Sequence, residues 1–162
     1  MTNPYKNYSI KDFDSFDCLK LSKYFYLILL FVLRGYIIWL ISVTNMRDRV
    51  GLMEWVYPEM NLFLLSLVSG TLGLFVVFLM SLRRPGAPAW VQRSWRHCRT
   101  FLVIALLFDL IINGLAVLYW QLLPLYWLIG QALIVSVLIS LSYTSERLSL
   151  NLTEFPQNLP KK

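Results

Sequence analysis

The sequence predicts an all-α, polytopic membrane protein, a bundle of four transmembrane helices with both termini in the cytoplasm. Three observations predict it. Hydrophobic residues make up 57% of the 162-residue chain and charged residues only 15%, with a mean hydropathy of +0.58; a soluble domain carries about 25% charged and about 45–50% apolar residues. The excess lies in four runs that each approach bilayer length. The lysines and arginines between those runs fall almost entirely on one side.

Residues 1–23 form a polar lead in which Lys6, Lys11, Lys20 and Lys23 alternate with Asp12, Asp14 and Asp17. The three aspartates lack the glycine and the closing glutamate of a calcium loop. Helix capping and a solvated strap are expected there, not a metal site. The first helix is expected over about 24–43, interrupted only by Arg34. It starts late, runs long and has no small-x-small site after it, so it does not read as a cleavable signal. Residues 44–60 are a polar stretch with Arg47, Asp48, Arg49, Glu54 and Glu59.

The second helix, about 61–82, carries no charge. Its Ser66, Ser69, Gly70 and Gly73 give small-xxx-small spacing twice, which lets helices approach closely in lipid. The spacing suits internal packing and a dimer face equally. Residues 83–99 form a basic loop in which Pro85, Gly86 and Pro88 end the helix and a short amphipathic segment, Ala89 to Arg99, follows. The third helix, about 100–122, carries Asp109 and Asn113. Pro124 marks a tight turn into the fourth, about 125–144, where Ala132, Ser136 and Ser140 repeat the small-residue spacing. A polar tail, 145–162, closes the chain.

Each run covers about 20 residues, enough at ~1.5 Å per residue to cross a ~30 Å hydrocarbon layer. Lipid offers bare backbone no hydrogen-bond partner, so such runs become helices. No run shows the in–out alternation of a barrel strand. The lead holds four lysines, the basic loop five arginines, and the tail Arg147, Lys161 and Lys162. That places twelve cations on one side, against two in the 44–60 stretch and none at the Pro124 turn. The bias puts both termini in the cytoplasm. Cys18 and Cys98 then face a reducing compartment as free thiols. Tyr119, Trp120, Tyr126 and Trp127 bracket the Pro124 turn as an outer interfacial belt, with Tyr24, Tyr26 and Tyr143 at the inner side.

Arg34 and Asp109 are the most informative pair. Arg34 lies ten residues beyond Tyr24 and Asp109 nine beyond Thr100, so both sit about 13–15 Å deep from the same surface. An unpaired charge there costs at least about 2.5–3.5 kcal/mol. The two are expected to pair, with Asn113 on the same small and polar stripe as Ala105, Asp109, Ala116 and Trp120. Such a pair fixes which helices pack together, or forms part of a proton or ion path.

In the basic loop, Val91, Trp95 and Cys98 share one face and Arg93, Arg96 and Arg99 lie largely off it. A helix lying among anionic lipid headgroups is expected, contacted by Arg83, Arg84, Arg93, Arg96, Arg99, Trp90 and Trp95. His97 has no second ligand at metal spacing. The formal net charge of +6 reports topology and anionic lipid, and no nucleic-acid partner is expected of so short a loop. No phosphate-cradling glycine loop, HExxH, GxSxG or cysteine–histidine cluster occurs. Neither an enzyme nor a cofactor is expected.

The stretch Asp12-Phe13-Asp14 followed by Cys18-Leu19-Lys20-Leu21 resembles the lead of the YfeZ-like family of small proteobacterial inner-membrane proteins. The likeness continues through Leu33-Arg34, Tyr57-Pro58, Gly70, Arg83-Arg84 and Trp95-Arg96, and covers about residues 12–150. The chain departs from it at Asp17 and Ser22, where glycine and proline are expected. The resemblance implies a location, the bacterial inner membrane, and carries no activity.

Three functions compete. The first is a noncatalytic accessory or scaffold protein acting by helix–helix contact with itself or a membrane complex. The second is a small transporter or proton-conducting protein using Arg34, Asp109 and Asn113. The third is a lipid-handling protein working through the Ala89–Arg99 segment.

Overall fold

The computed structural model describes residues 8, 12–13, 18–45, 51–57, 59–118 and 124–156. Expectations that fall on Lys6, Lys11, Asp14, Asp17, Arg47, Asp48, Arg49, Pro58, Tyr119, Trp120, Lys161 and Lys162 lie outside those residues. Regular structure among the described residues is helical, apart from one isolated bridge between Phe13 and Leu19.

The first apolar run is not one helix. It forms α1 (Lys23–Val32) and α2 (Arg34–Thr44), bent by 68° at Leu33. Hydropathy reads the run as continuous because it counts grease and not direction. The bend seats on α4 (Met60–Ser81), whose small residues form the socket. A Cβ on Gly73 would lie 2.8 Å from Val32 Cγ1, and one on Gly70 would lie 2.9 Å from the Tyr36 ring. A Cβ on Gly35 would meet Ser66 Oγ at 2.6 Å. The seam in the second apolar run is therefore an internal packing surface, filled by the bend itself. Ser22 caps α1, its side chain accepting from the Tyr24 amide at 3.3 Å. Its φ of −63° is one that proline would also hold.

After the short α3 (Gly51–Val56), the long helices α4, α6 (Cys98–Leu118) and α7 (Leu125–Thr144) are each long and apolar enough to cross a membrane. Three helices meet that condition, or four spans if the bent α1–α2 pair is one. Their core is continuous: Phe25, Ile28, Val76, Leu79, Leu106 and Val135 pack in one cluster. Tyr24, Tyr26, Tyr126, Trp127 and Tyr143 point outward from the helix ends.

The base of the bundle differs most from expectation. The tail is not simply polar, because residues 146–153 form α8 (Glu146–Thr153). Ser145 caps it by accepting from the Leu148 amide, and Leu148 and Leu152, one turn apart, are buried. The amphipathic segment forms α5 (Ala89–Arg96), but Val91 and Trp95 face the protein's own core. Trp95, expected among headgroups, is 1% exposed and donates Nε1–H to the Asn151 carbonyl at 3.0 Å. α8 supplies the apolar cover that lipid was expected to give. The Asn151 amide, oriented to satisfy both neighbours, donates to the Leu19 carbonyl at 3.0 Å and accepts from the Ser22 amide at 2.8 Å. Glu154 accepts from the Leu19 amide at 2.8 Å, and Arg147 pairs with Asp12 at 3.3 Å. Lead and tail thus meet beneath the helices.

Candidate functional site

Asp109 lies just past the middle of α6 on its buried face, 5% exposed in a helix that otherwise buries mainly aliphatic residues. Around its carboxylate four helices converge. From the first turn of α2, Arg34 Nη2 donates to Oδ2 at 2.9 Å and to Oδ1 at 3.1 Å. From α4, Ser69 Oγ stands 3.2 Å from Oδ1. From α7, Gln131 Nε2 donates to Oδ2 at 2.6 Å. The break at Leu33 positions Arg34, since the bend carries the first residue of α2 across the α4 glycines toward α6. Charge-assisted bonds to a buried carboxylate are short and strong, and a buried charge is tolerated only when paired and hydrogen-bonded.

Asn113 does not join this cluster. Its Nδ2 donates to the Asp109 backbone carbonyl one turn earlier, at 2.8 Å. The stripe argument placed it on the right face, but a short amide reaches its own helix before it reaches the ion pair. Sequence reasoning also missed Ser69 and Gln131 as carboxylate donors. Ser69 read as a small packing residue. Gln131 carried the stronger signal, since an amide inside an apolar span requires a partner.

The cluster opens sideways. Arg34 keeps 25% of its side chain exposed and its guanidinium lies over the Phe31 ring, 4.6 Å from the centroid. A groove of about 390 Å³ runs from Arg34 and Gln131 past Phe31 and Ile134 to Val56, Tyr126 and Trp127. A smaller cavity of about 30 Å³ touches Arg34, Asn113 and Tyr57. Tyr57 Oη is 2.7 Å from Ser66 Oγ, and Ser69 Oγ is within 3.0 Å of the Ser66 carbonyl. Gln131 Oε1 is buried with no hydrogen-bond partner among the described residues.

The expected headgroup residues divide. Arg84, Arg93, Arg96 and Trp90 are exposed at the base, and Trp90 stacks on Phe78. Arg83 is half-buried, lying over the Trp95 ring and donating to the Glu154 carbonyl at 3.3 Å. Arg99 lies over the Tyr143 ring. Trp95 is inside. Among the described residues no group of three histidine, cysteine or acidic side chains could hold a metal ion.

The model of a family described as "Protein of unknown function (DUF2919)" matches residues 8–154. The chain belongs to this family. Its match spans every side chain of the Asp109 cluster and both helices of the base. The chain is 30% identical over 145 residues to the "Inner membrane protein YfeZ" of Escherichia coli (strain K12), covering 84% of this chain and 87% of the relative. The resemblance read from Asp12-Phe13-Asp14, Leu33-Arg34 and Trp95-Arg96 is thus to the right family. With three or four membrane-capable helices, the chain is a multi-pass protein of the bacterial inner membrane. No solved structure matches it.

Proposed function

We propose that this DUF2919 protein is a noncatalytic accessory or scaffold of the inner membrane, with four spans and both ends in the cytoplasm, acting by helix–helix contact with itself or a membrane complex. The observation that carries the reading is the saturation of Asp109. Arg34, Ser69 and Gln131 supply four contacts to its two oxygens from three helices. A carboxylate so held acts as a pin between helices. A relay needs a next partner, and the nearest further polar side chain on α6, Asn113, donates its amide to its own helix.

Outward contact is supported by α7. It buries Gln131, Val135, Leu138 and Ser142, and leaves Ser136 and Ser140 exposed on its other side. Small residues on a lipid-facing side permit close approach of a further helix. The topology is supported at the base, where Glu154 and Arg147 contact the Leu19 amide and the Lys20 carbonyl. Segments before the first apolar run and after the last that meet at one surface support an even number of crossings, and the cation bias supports a cytoplasmic side for that surface.

Cysteines placed one at a time on a cysteine-free background test both parts. Arg93→Cys and Ser149→Cys should react only after the inner surface is opened, and Glu54→Cys in intact cells. Ser136→Cys and Ser140→Cys should cross-link in the membrane to a second copy or to one defined protein, and buried Val135→Cys should not. A chain that stays monomeric in mild detergent and gives no adduct from α7 would end the scaffold reading.

The transporter reading is favoured by one observation, the partial exposure of Arg34 in the lateral groove. Reconstituted liposomes decide it. Flux that disappears in Asp109→Asn would replace the accessory reading with this one.

A further inference from the structure

At the base, where α5 leads into α6 and α7 into α8, a pocket of about 320 Å³ is lined by Arg96, Arg99, Thr100, Tyr143, Ser149 and Thr153, with Leu152 at its wall. Among the described residues no carboxylate lines it. Neither arginine has an acidic partner among the described residues, although Asp12 and Asp109 both hold arginines elsewhere. Arg99 is fixed in place: its guanidinium lies 5.3 Å from the Tyr143 ring centroid, and its Nε is buried without an acceptor. Thr153 spends its hydroxyl hydrogen on the Ser149 and Leu150 carbonyls. No described hydrogen bond engages the hydroxyls of Thr100, Tyr143 and Ser149.

We propose that this pocket binds a phosphate group. Two guanidiniums brought to one concavity repel each other unless an anion lies between them, and planar guanidiniums match phosphate oxygens in pairs. Three hydroxyls complete a donor set that a tetrahedral anion can fill. Location indicates the source. Tyr143 is exposed at the last turn of α7 and Thr100 begins the apolar part of α6. The pocket therefore sits at the level where a span meets lipid headgroups, and a phospholipid phosphate reaches it with its chains along α7. A soluble phosphate ester would use the same donors. The inference does not depend on the accessory reading; it needs only that the base of the bundle lies at a membrane surface.

The test uses the full chain in zwitterionic detergent, titrated with phosphatidylglycerol, with phosphatidylcholine, and with inorganic phosphate. Bound ligand is counted by native mass spectrometry. The double variant Arg96→Gln/Arg99→Gln should bind phosphatidylglycerol about tenfold or more weakly, as expected when charge-assisted bonds are lost. Ser149→Glu, an exposed change that places a carboxylate in the pocket, should do the same. Lys23→Gln, which removes an exposed cation outside the pocket, should leave binding unchanged. Preference for phosphatidylglycerol over phosphatidylcholine assigns the site to an anionic lipid. Binding of inorganic phosphate with no lipid preference assigns it to a soluble ester. If the double variant does not fold, Ser149→Glu decides alone. Unchanged binding in Ser149→Glu, or equal weakening by Lys23→Gln, would overturn the proposal, because binding would then follow total charge.

Discussion

Gln131 Nε2 lies 2.6 Å from Asp109 Oδ2, nearer than the arginine that neutralises the carboxylate at 2.9 Å. A neutral amide on α7 and a cation on α2 therefore share one acceptor group on α6. The ion pair does not act alone. Removing either donor leaves Asp109 partly held, and this shapes what each substitution should do.

Arg34→Leu should destabilise the bundle by about 3 kcal/mol, at the low end for breaking a buried pair because Ser69 and Gln131 still donate. Arg34→Leu with Asp109→Leu should recover much of that loss. Thermal unfolding in lipid nanodiscs for the wild type, both singles and the double closes the cycle, and strict additivity would mean the two do not interact.

Gln131→Leu should cost only about 1 kcal/mol, because it removes one hydrogen bond and also a buried carbonyl oxygen that has no partner among the described residues. Gln131→Glu should cost more, since it sets a second carboxylate against the first. The order of melting temperatures, wild type above Leu above Glu, is the readout.

The bend makes opposite demands on different glycines. Gly35→Ala would press a methyl against Ser66 Oγ, which already bonds Tyr57, and should cost roughly 1–3 kcal/mol as an overpacked contact. Gly114 and Gly130 have open space where a Cβ would stand. Alanine there should be neutral or stabilise by about 0.5–1 kcal/mol through helix propensity. Equal destabilisation at all three sites would contradict the packing of α2 on α4.

Trp95→Phe keeps most of the buried ring but leaves the Asn151 carbonyl without its donor. The expected loss is about 1–3 kcal/mol, concentrated in α8. Hydrogen exchange should quicken over residues 146–153 while α4 and α6 stay protected. Uniform acceleration along the chain would mean that α8 is not held through this bond.

Several features are legible in the sequence alone. Rise per residue alone set Arg34 and Asp109 at one depth, and amphipathic spacing marked Val91, Trp95 and Cys98 as one face. Reading failed where a residue had two equivalent destinations. An apolar face on α5 suits lipid or protein, and only the fold of α8 sent Trp95 inward. α8 itself was legible in Ser145 followed by Leu148 and Leu152, a cap and a one-turn apolar pair hidden in a polar composition. Asn113 could serve Asp109 through its carboxylate or through its backbone, and the intrahelical bond was the shorter reach.

By itself the sequence determined that this chain lives in a membrane as a set of helices. Hydrophobic free energy is summed along a run and backbone groups in lipid bond within their own helix, so neither depends on neighbours. The 68° bend at Leu33, the gathering of Ser69 and Gln131 on Asp109, and the burial of Trp95 beneath α8 were decided by tertiary structure. Those depend on which surfaces meet, and a glycine seam, an amide or a tryptophan face fits several partners until packing selects one.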